Sequence, residues 1–533
     1  MVRRGLGLVT GFSRHRSASA LCLGILAGGF LWLAHPPAGV SWTAFLVAPA
    51  LIASMRLMSG EGASATTEPV AARLRTVVPA FIAGSVGYGA MIAWLIAPAG
   101  LLGWSLLVLI QAVWLALWAF LIAPILHRPW MPVAAAALWV GMDTLRGSFP
   151  LSGFRWGALG YSQVDLEWFV PFARVFGGSG VTFVVVLLSS ALVDALLGMR
   201  TGDREDPPRA PLLQAVGSAL LVTLVTVQAP PVEGSLDVVA VQGNDIEHWI
   251  LQDPDPPRTI ARNLHRLTLE DLTREGPADL VVWPESAIDR DPGRPEWRDL
   301  GELASEVARA SGTLLTGVSL DSPTDPSRER IVGAWLLGQD GVERPQDLYV
   351  KRRPVPFGEY VPGRRWLEWI PALDQVPRDA VPGPGPQSFV LPSGVHVAVL
   401  ICFETLFGDL ARTNVLAGEK DAALIVAITN DASFQRSAEP AQHLAQSRMR
   451  AIESGRWVVH AALSGSSAFV DPEGRVHQAT ELFTQDVIRS DIPLAAGRTP
   501  FLRVGDLVGA LGALLFATLG LVAIVRRMWS RPR

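Results

Sequence analysis

Cysteine and lysine are almost absent from this chain of 533 residues. Its two cysteines, Cys22 and Cys402, cannot build a disulfide framework, and one cysteine by itself cannot hold a zinc ion. Only Lys351 and Lys420 are lysines among the 45 basic residues. The sequence also contains no P-loop, no glycine-rich dinucleotide motif before a helix and no spacing typical of metal ligands. We therefore expect no cofactor and no metal site.

Charged residues are scarce as well, at 18% of the chain against 50% hydrophobic residues. The mean hydropathy of +0.31 is too high for an ordinary soluble protein of this size. Arginines without acidic neighbours occupy residues 1–16 and 526–533, on an otherwise acidic chain. Nucleic-acid binding needs a basic face, so this pattern predicts a membrane as partner and no nucleic acid.

Eight apolar segments are long enough to cross a bilayer. They lie near residues 18–36, 40–56, 77–98, 101–125, 130–145, 179–198, 211–229 and 505–525. Arginines in alternate loops and at both ends would lie on one face, which the positive-inside rule makes cytoplasmic. We predict a polytopic α-helical membrane domain of about eight spans. About seven transmembrane helices lie in residues 1–231, and residues 501–533 hold the last one with a basic cytoplasmic tail.

Arg146 and Arg155 are exceptions, because this topology places them in an outer loop. Arginine recognises phosphate well, so they are candidates to face phospholipid headgroups. Salt bridges to an acidic domain outside the membrane are an equally good explanation.

Residues 232–500 have a different pattern, in which strand-like and helical segments alternate. Strands are predicted at 236–241, 280–283, 313–318, 332–337, 395–401, 423–428 and 457–463, and helices at 259–272, 297–310 and 442–453. This alternation predicts one extracytoplasmic α/β domain around a single core.

The strand at 395–401 ends at Cys402, and the carboxyl ends of strands are where open α/β sheets place their chemistry. Taken alone, this pattern favours an inert buried thiol over a nucleophile. Glu285 follows another strand and is a candidate base. Lys351 precedes two arginines, so its position calls for a compact ammonium that could hold an oxyanion.

The order of these residues resembles the nitrilase superfamily, with Trp-Pro-Glu ending at Glu285 and Ile-Cys-Phe-Glu around Cys402. The helices and further motifs resemble the apolipoprotein N-acyltransferase family. These motifs are Ser152-Gly-Phe-Arg-Trp-Gly, Gly178-Ser-Gly-Val-Thr-Phe, Pro356-Phe-Gly-Glu-Tyr-Val-Pro and Thr429-Asn-Asp-Ala. The resemblance implies an αββα sandwich and acyl transfer through a thioester on Cys402. Phe403 and Ser433 depart from the family pattern, which usually has tyrosine and tryptophan there.

What the resemblance implies for the site is specific. Glu285 would be the base and Lys351 the oxyanion partner, with Glu359 and Glu404 as supporting acids. Trp249 and Phe403 would lie near the acyl site. The donor would be a phospholipid and the acceptor a lipoprotein with a diacylglyceryl-modified N-terminal cysteine, at a bacterial inner membrane with the catalytic domain on the periplasmic side.

Trp366 and Trp369 belong to a loop beside Glu359 and are also candidates for substrate binding. Such an apolar loop is either a local hydrophobic plug or a lid that enters lipid.

Three other functions remain open at this point. A membrane-tethered amidohydrolase of small amides would share the three catalytic residues, and water would then cleave the thioester. A thiol protease would instead use His443 or His460 as its base. A transporter or receptor should carry charges within its spans, where Asp143 and Asp194 are almost the only ones.

Overall fold

A computed structural model describes residues 2–59, 70–201, 209–245, 253–340, 347–367 and 369–529. The chain divides into two compact units. Met1–Thr226 and Asp506–Arg533 form the first, and Val227–Gly505 forms the second. The first unit is helical, and the second is built on two β-sheets.

Helices of 16 residues or more overlap each of the eight predicted spans. Within the described ranges they are α1 (Val2–Leu33), α2 (Ala44–Ser59), α3 (Val70–Met91), α4 (Ile96–Ile122), α5 (Met131–Arg146), α6 (Val170–Thr201), α7 (Arg209–Leu224) and α14 (Leu507–Trp529).

Among the residues that the structure describes, five helical regions combine enough length and hydropathy to cross a membrane. They are His15–Leu33, Ser41–Ser59, Ala93–Ile125, Glu167–Leu196 and Leu507–Arg526. With 16 residues each, α5 and α7 are only about 24 Å long, which is less than the roughly 30 Å of a hydrocarbon core. The membrane character is confirmed, and the predicted number of eight spans is approximate.

The two acids within the apolar helices have arginine partners. Asp143 accepts a hydrogen bond of 2.8 Å from Arg146, and both side chains are buried. Asp194 pairs with Arg56. An unpaired charge inside a bilayer is costly, so these contacts account for the acids by pairing and give no support to a transport pathway.

Arg146 and Arg155 contact groups of the helical unit itself. Arg146 donates to the carbonyl oxygens of Phe154 and Trp156 at 2.9 and 2.8 Å. Arg155 donates to the carboxylate of Asp506 at 3.1 Å. Both arginines therefore fasten the segment around residues 154–156, a role that the sequence did not predict.

In its described part, the second unit contains seven strands in one sheet and six in the other. The first sheet has the order β13-β1-β2-β3-β4-β5, with β6 paired to β4. Its strands are β1 (Val232–Gln242), β2 (Leu280–Val282), β3 (Thr313–Asp321), β4 (Glu329–Gly338), β5 (Leu348–Val350), β6 (Asp379–Ala380) and β13 (Asp486–Ala495). The strands β1, β2 and β3 are parallel, so their carboxyl ends lie at one edge.

The second sheet has the order β12-β11-β10-β9-β8-β7. Its strands are β7 (Ser388–Val390), β8 (His396–Ile401), β9 (Leu424–Thr429), β10 (Val458–Ala462), β11 (Ala468–Val470) and β12 (Val476–His477). Here β8, β9 and β10 are parallel and buried along their whole length, which explains their continuous apolar sequences.

Helices cover the outer faces of both sheets. On the first sheet they are α8 (Pro256–Glu275) and α9 (Arg298–Ser311), and on the second α11 (Gly408–Val415) and α12 (Glu439–Ser454). Two short helices, α10 (Arg364–Leu367) and α13 (Pro500–Val504), complete the unit. Alternate residues such as Val238 and Val399 point into one core between the sheets. Val239 of β1 faces outward and belongs to a second buried cluster that includes Leu264 of α8 and Leu300 of α9. The predicted αββα sandwich is confirmed.

Candidate active site

Glu285, Lys351 and Cys402 each lie just past the carboxyl end of a strand. They follow β2, β5 and β8 respectively, in both sheets of the sandwich. The structure links the first two directly, because the ammonium of Lys351 donates to Glu285 Oε1 at 3.0 Å. The charges of both residues act on the thiol of Cys402.

Glu285 is buried in a loop that lies tightly against β3. A Cβ atom at Gly317 would come within 2.6 Å of the Glu285 Cα, so only glycine permits this approach. The backbone N–H of Asn430 donates to Glu285 Oε2 at 3.1 Å. Both carboxylate oxygens are thus held, one by Lys351 and the other by the segment that follows β9.

Lys351 lies between two carboxylates and is only 1% exposed. Its Nζ is 3.0 Å from Glu285 Oε1 and 2.8 Å from Glu359 Oε1. The other oxygen of Glu359 accepts from the backbone N–H of Val355 at 2.7 Å. Burial alone would lower the pKa of Lys351, but the two carboxylates raise it above its usual value. Lys351 therefore remains a charged ammonium.

Cys402 is half-buried and has a backbone φ of +50°. A residue other than glycine in this region carries a strain of about 1–3 kcal/mol, which other contacts must offset. Burial and the charge of Glu285 raise the pKa of the thiol well above its ordinary value, although Lys351 opposes them. Cys402 is therefore a thiol at neutral pH and needs a base before it can attack.

Glu285 has the properties of that base. Burial raises the pKa of its carboxyl, and the charge of Lys351 works in the opposite direction. A carboxylate with a raised pKa is a better proton acceptor near neutral pH than an ordinary glutamate. The arrangement thus offers a base, a fixed cation and a thiol, which are the parts needed for acyl transfer through a thioester.

Glu404 joins the ends of two strands. Its carboxylate accepts from the N–H of Ile401 at 2.9 Å, from the N–H of Arg352 at 2.6 Å and from the hydroxyl of Tyr349 at 2.9 Å. These donors belong to the segments that carry Cys402 and Lys351. Glu404 therefore holds the segment of Cys402 and the segment of Lys351 together through the backbone.

His443 lies on α12, on the backbone side of Cys402. Its Nε2 is 3.1 Å from the carbonyl oxygen of Cys402 and 2.8 Å from Thr405 Oγ1, and its Nδ1 is 3.1 Å from Asp431 Oδ1. These contacts engage both ring nitrogens away from the thiol, so they favour a structural histidine over the base of a thiol protease.

Asp431, His443 and His460 also form a group whose nitrogen and oxygen atoms lie within 4.8 Å of one another. Among the described residues this is the arrangement that could hold a metal ion. Hydrogen bonding already explains His443, because its two nitrogens face a carbonyl and a carboxylate. We therefore interpret the group as a hydrogen-bonded cluster.

The predicted substrate-binding residues differ in their surroundings. Trp249 lies outside the described residues. Phe403 is 7% exposed and packs edge-to-face on Phe407, with ring centroids 5.2 Å apart. Trp366 and Trp369 are 69% and 78% exposed on α10 and the turn after it. This exposure argues against a local plug, and the binding roles of these residues stay predictions.

Sequence reasoning did not identify several residues that hold the site. Tyr349 and Asn414 support Glu404, since Asn414 donates to the Tyr349 hydroxyl at 3.1 Å. Asn430 holds Glu285 through its backbone N–H. Asn430 and Asp431 lie in the motif Thr-Asn-Asp-Ala, so the sequence pointed to this segment but not to its hydrogen bonds.

Comparisons with known proteins match both units. The model described as the apolipoprotein N-acyltransferase N-terminal domain matches residues 27–191, and the model described as carbon-nitrogen hydrolase matches residues 252–499. The apolipoprotein N-acyltransferase of Pseudomonas paraeruginosa is 33% identical over 441 residues, which cover 77% of this chain and 78% of that protein. The enzyme of the same name from Geobacter metallireducens is 30% identical over 513 residues, or 91% of each chain. Among solved structures, a Nesterenkonia amidase of the nitrilase superfamily aligns with 54% of this chain and 98% of its own, with a TM-score of 0.35 and 16% identity.

Proposed function

This chain belongs to the apolipoprotein N-acyltransferase family, and from that premise we propose that it transfers an acyl chain from a membrane phospholipid to a lipoprotein. The acceptor is the free α-amine of an N-terminal cysteine that already carries a diacylglyceryl group. The observation that supports this most is the placement of Glu285, Lys351 and Cys402 at three strand ends, with Lys351 Nζ 3.0 Å from the Glu285 carboxylate.

In the first half-reaction, Glu285 takes the proton from the Cys402 thiol as the sulfur attacks the ester carbonyl of the phospholipid. Lys351 stabilises the oxyanion that forms on the carbonyl oxygen. When the tetrahedral intermediate collapses, the ester C–O bond breaks and Glu285 returns the proton to the leaving oxygen. A lysophospholipid departs, and the acyl chain remains as a thioester on Cys402.

In the second half-reaction, the acceptor amine attacks the thioester carbonyl. Glu285 takes a proton from the amine, and Lys351 again faces the oxyanion. The C–S bond breaks, the sulfur regains a proton from Glu285, and an amide is released. Glu359 holds Lys351 in place. Glu404 binds the backbone next to Lys351 and next to Cys402, and so holds the two segments together.

Mass spectrometry of Cys402 tests this proposal. After incubation of the purified protein with phospholipid vesicles, we expect an acyl adduct on the Cys402 peptide and one lysophospholipid per adduct. A diacylglyceryl-cysteine peptide should then remove the adduct and become N-acylated. Loss of the adduct to water at the same rate with and without this peptide would instead identify a hydrolase, and a protein that never forms the adduct would contradict the proposal.

We further propose that the chain is a multi-pass protein of a bacterial inner membrane, with residues 232–500 on the periplasmic side. The arginine-rich ends and loops support this orientation. Protease added to the outer face of spheroplasts should digest residues 232–500 and spare an epitope at the carboxyl terminus. Digestion of that epitope while residues 232–500 stay intact would indicate the opposite orientation.

The exposed pair Trp366 and Trp369 is proposed to enter the lipid during acyl transfer. Replacing both by serine should slow acylation by phospholipid vesicles by about tenfold, since two buried tryptophans contribute well over 1 kcal/mol to lipid contact. A short, water-soluble thioester donor should be affected much less, and the melting temperature should not change. Equal losses with both donors would assign the pair to packing.

A further inference from the structure

His443 connects the nucleophile to a buried carboxylate. Its Nε2 lies 3.1 Å from the carbonyl oxygen of Cys402, and its Nδ1 lies 3.1 Å from Asp431 Oδ1. A carbonyl oxygen can only accept a hydrogen bond, and so can an ionised carboxylate. Each ring nitrogen therefore needs its own proton.

Two neighbouring hydroxyls do not remove the need for a proton on each ring nitrogen. Thr405 Oγ1 is 2.8 Å from Nε2, but it donates to the Cys402 carbonyl oxygen at 3.0 Å. Thr429 Oγ1 is 3.3 Å from Nδ1, but it donates to Asp431 Oδ1 at 2.8 Å. Both hydroxyls therefore accept from the ring and cannot supply its protons, which leaves His443 as the donor on both sides.

The charges around His443 agree with an imidazole ring that carries two protons. On the same helix, Glu439 Oε1 is 3.7 Å from Nδ1, and burial together with the charge of Asp431 raises the pKa of Glu439 well above its ordinary value. On β10, the ring of His460 meets that of His443 edge-on with centroids 5.3 Å apart, and burial lowers the pKa of His460 to about 3. His460 is thus neutral, and burial opposes a negative charge on Glu439.

Asp431 is the remaining charged neighbour. Burial would raise the pKa of its carboxyl, but the charge and hydrogen bond of His443 hold that pKa below its ordinary value. An isolated negative charge at a site 1% exposed would be costly. The buried group is electrically balanced only if His443 carries a positive charge.

We propose that His443 is a buried imidazolium paired with Asp431, and that it acts as a positioning residue for the nucleophile Cys402. Its Nε2–H clamps the Cys402 carbonyl and so stabilises the left-handed backbone at φ +50°. Its charge also offsets that of Asp431, which would otherwise oppose formation of the thiolate. The inference rests on the proposed role of Cys402, but not on which acyl donor the protein uses.

The test measures the rate at which iodoacetamide alkylates Cys402 as a function of pH, and its midpoint is the pH of the half-maximal rate. The Cys22→Ser background leaves Cys402 as the one cysteine of the chain. His443→Gln leaves the charge of Asp431 unbalanced, so the midpoint of alkylation should rise by about one pH unit. The double variant His443→Gln with Asp431→Asn removes both charges and should bring the midpoint most of the way back. An unchanged midpoint in His443→Gln would overturn the proposal.

Single-turnover acylation separates two effects of His443, its hydrogen bond to the Cys402 carbonyl (the clamp) and its positive charge. Glutamine cannot donate to two acceptors on opposite sides, so His443→Gln and the double variant should both acylate about 10²-fold more slowly. Full recovery of the rate in the double variant would refute the clamp. His460→Gln is the matched control, because His460 bonds Ser447 at 2.9 Å and is neutral, and it should leave the midpoint and rate unchanged. An equal shift in this control would assign the effect to packing.

If His443→Gln does not fold, Asp431→Asn alone provides the test. Without its counter-ion, an imidazolium leaves a positive charge unbalanced near Cys402, so the midpoint of alkylation should fall. A neutral His443 beside a protonated Asp431 predicts no such fall, because the substitution would then change no charge. Alkylation requires no acyl donor, so failure of this inference and failure of the proposed acyl transfer are distinguishable.

Discussion

Glu285→Gln is expected to slow the acylation of Cys402 by about 10²- to 10⁴-fold, the range for loss of a general base. Glutamine keeps the shape of the side chain, and its one amide oxygen can still accept from Lys351 or from the N–H of Asn430, although not from both. It cannot take the proton of a thiol whose pKa burial raises well above its ordinary value. The measurement is single-turnover formation of the thioester with phospholipid vesicles at neutral pH.

The dependence of this loss on pH identifies its cause. Glu285 raises the pKa of Cys402, so removing its charge lowers that pKa. As the pH rises towards the thiol pKa, thiolate forms without a base, and the deficit of Glu285→Gln should shrink. A deficit that stays constant with pH would point to misplacement of Cys402, and a rate within threefold of wild type at neutral pH would exclude Glu285 as the base.

Much of the fold follows from the apolar pattern of the chain. The strands β8, β9 and β10 are buried along their length and were predictable as continuous apolar segments. By contrast, β6 and β12 are two residues long, and pairing with a neighbour defines them. A segment of two residues has no periodicity, so it could not be predicted from sequence.

The candidate site divides in the same way. Glu285 and Cys402 follow apolar strands that sequence reveals, and the rarity of lysine singles out Lys351. The roles of Glu404 and His443 depend on atoms more than 40 residues away, such as the backbone N–H of Arg352 and the carbonyl of Cys402. Only the folded chain brings these partners together, so no local pattern reports them.

Lys351→Arg is expected to be nearly as inactive as Lys351→Ala, with losses of about 10²- to 10³-fold in Cys402 acylation. Lys351 is 1% exposed, and its Nζ lies within 3.0 Å of both Glu285 and Glu359. A guanidinium is wider and planar, so it must displace one of these carboxylates or leave the position that faces the oxyanion. Arginine keeps the charge but not its placement.

Lys420→Arg is the matched control, because Lys420 is the other lysine of the chain and is exposed. It should retain the rate of wild type. In the proposed mechanism the oxyanion forms at one point near Cys402, and a donor fixed there in advance contributes more than the same charge spread over a movable group. If Lys351→Arg acylates Cys402 within threefold of wild type, positive charge alone suffices at this position. Lys351 would then serve mainly to balance Glu285 and Glu359, and the oxyanion would have to be stabilised by other donors.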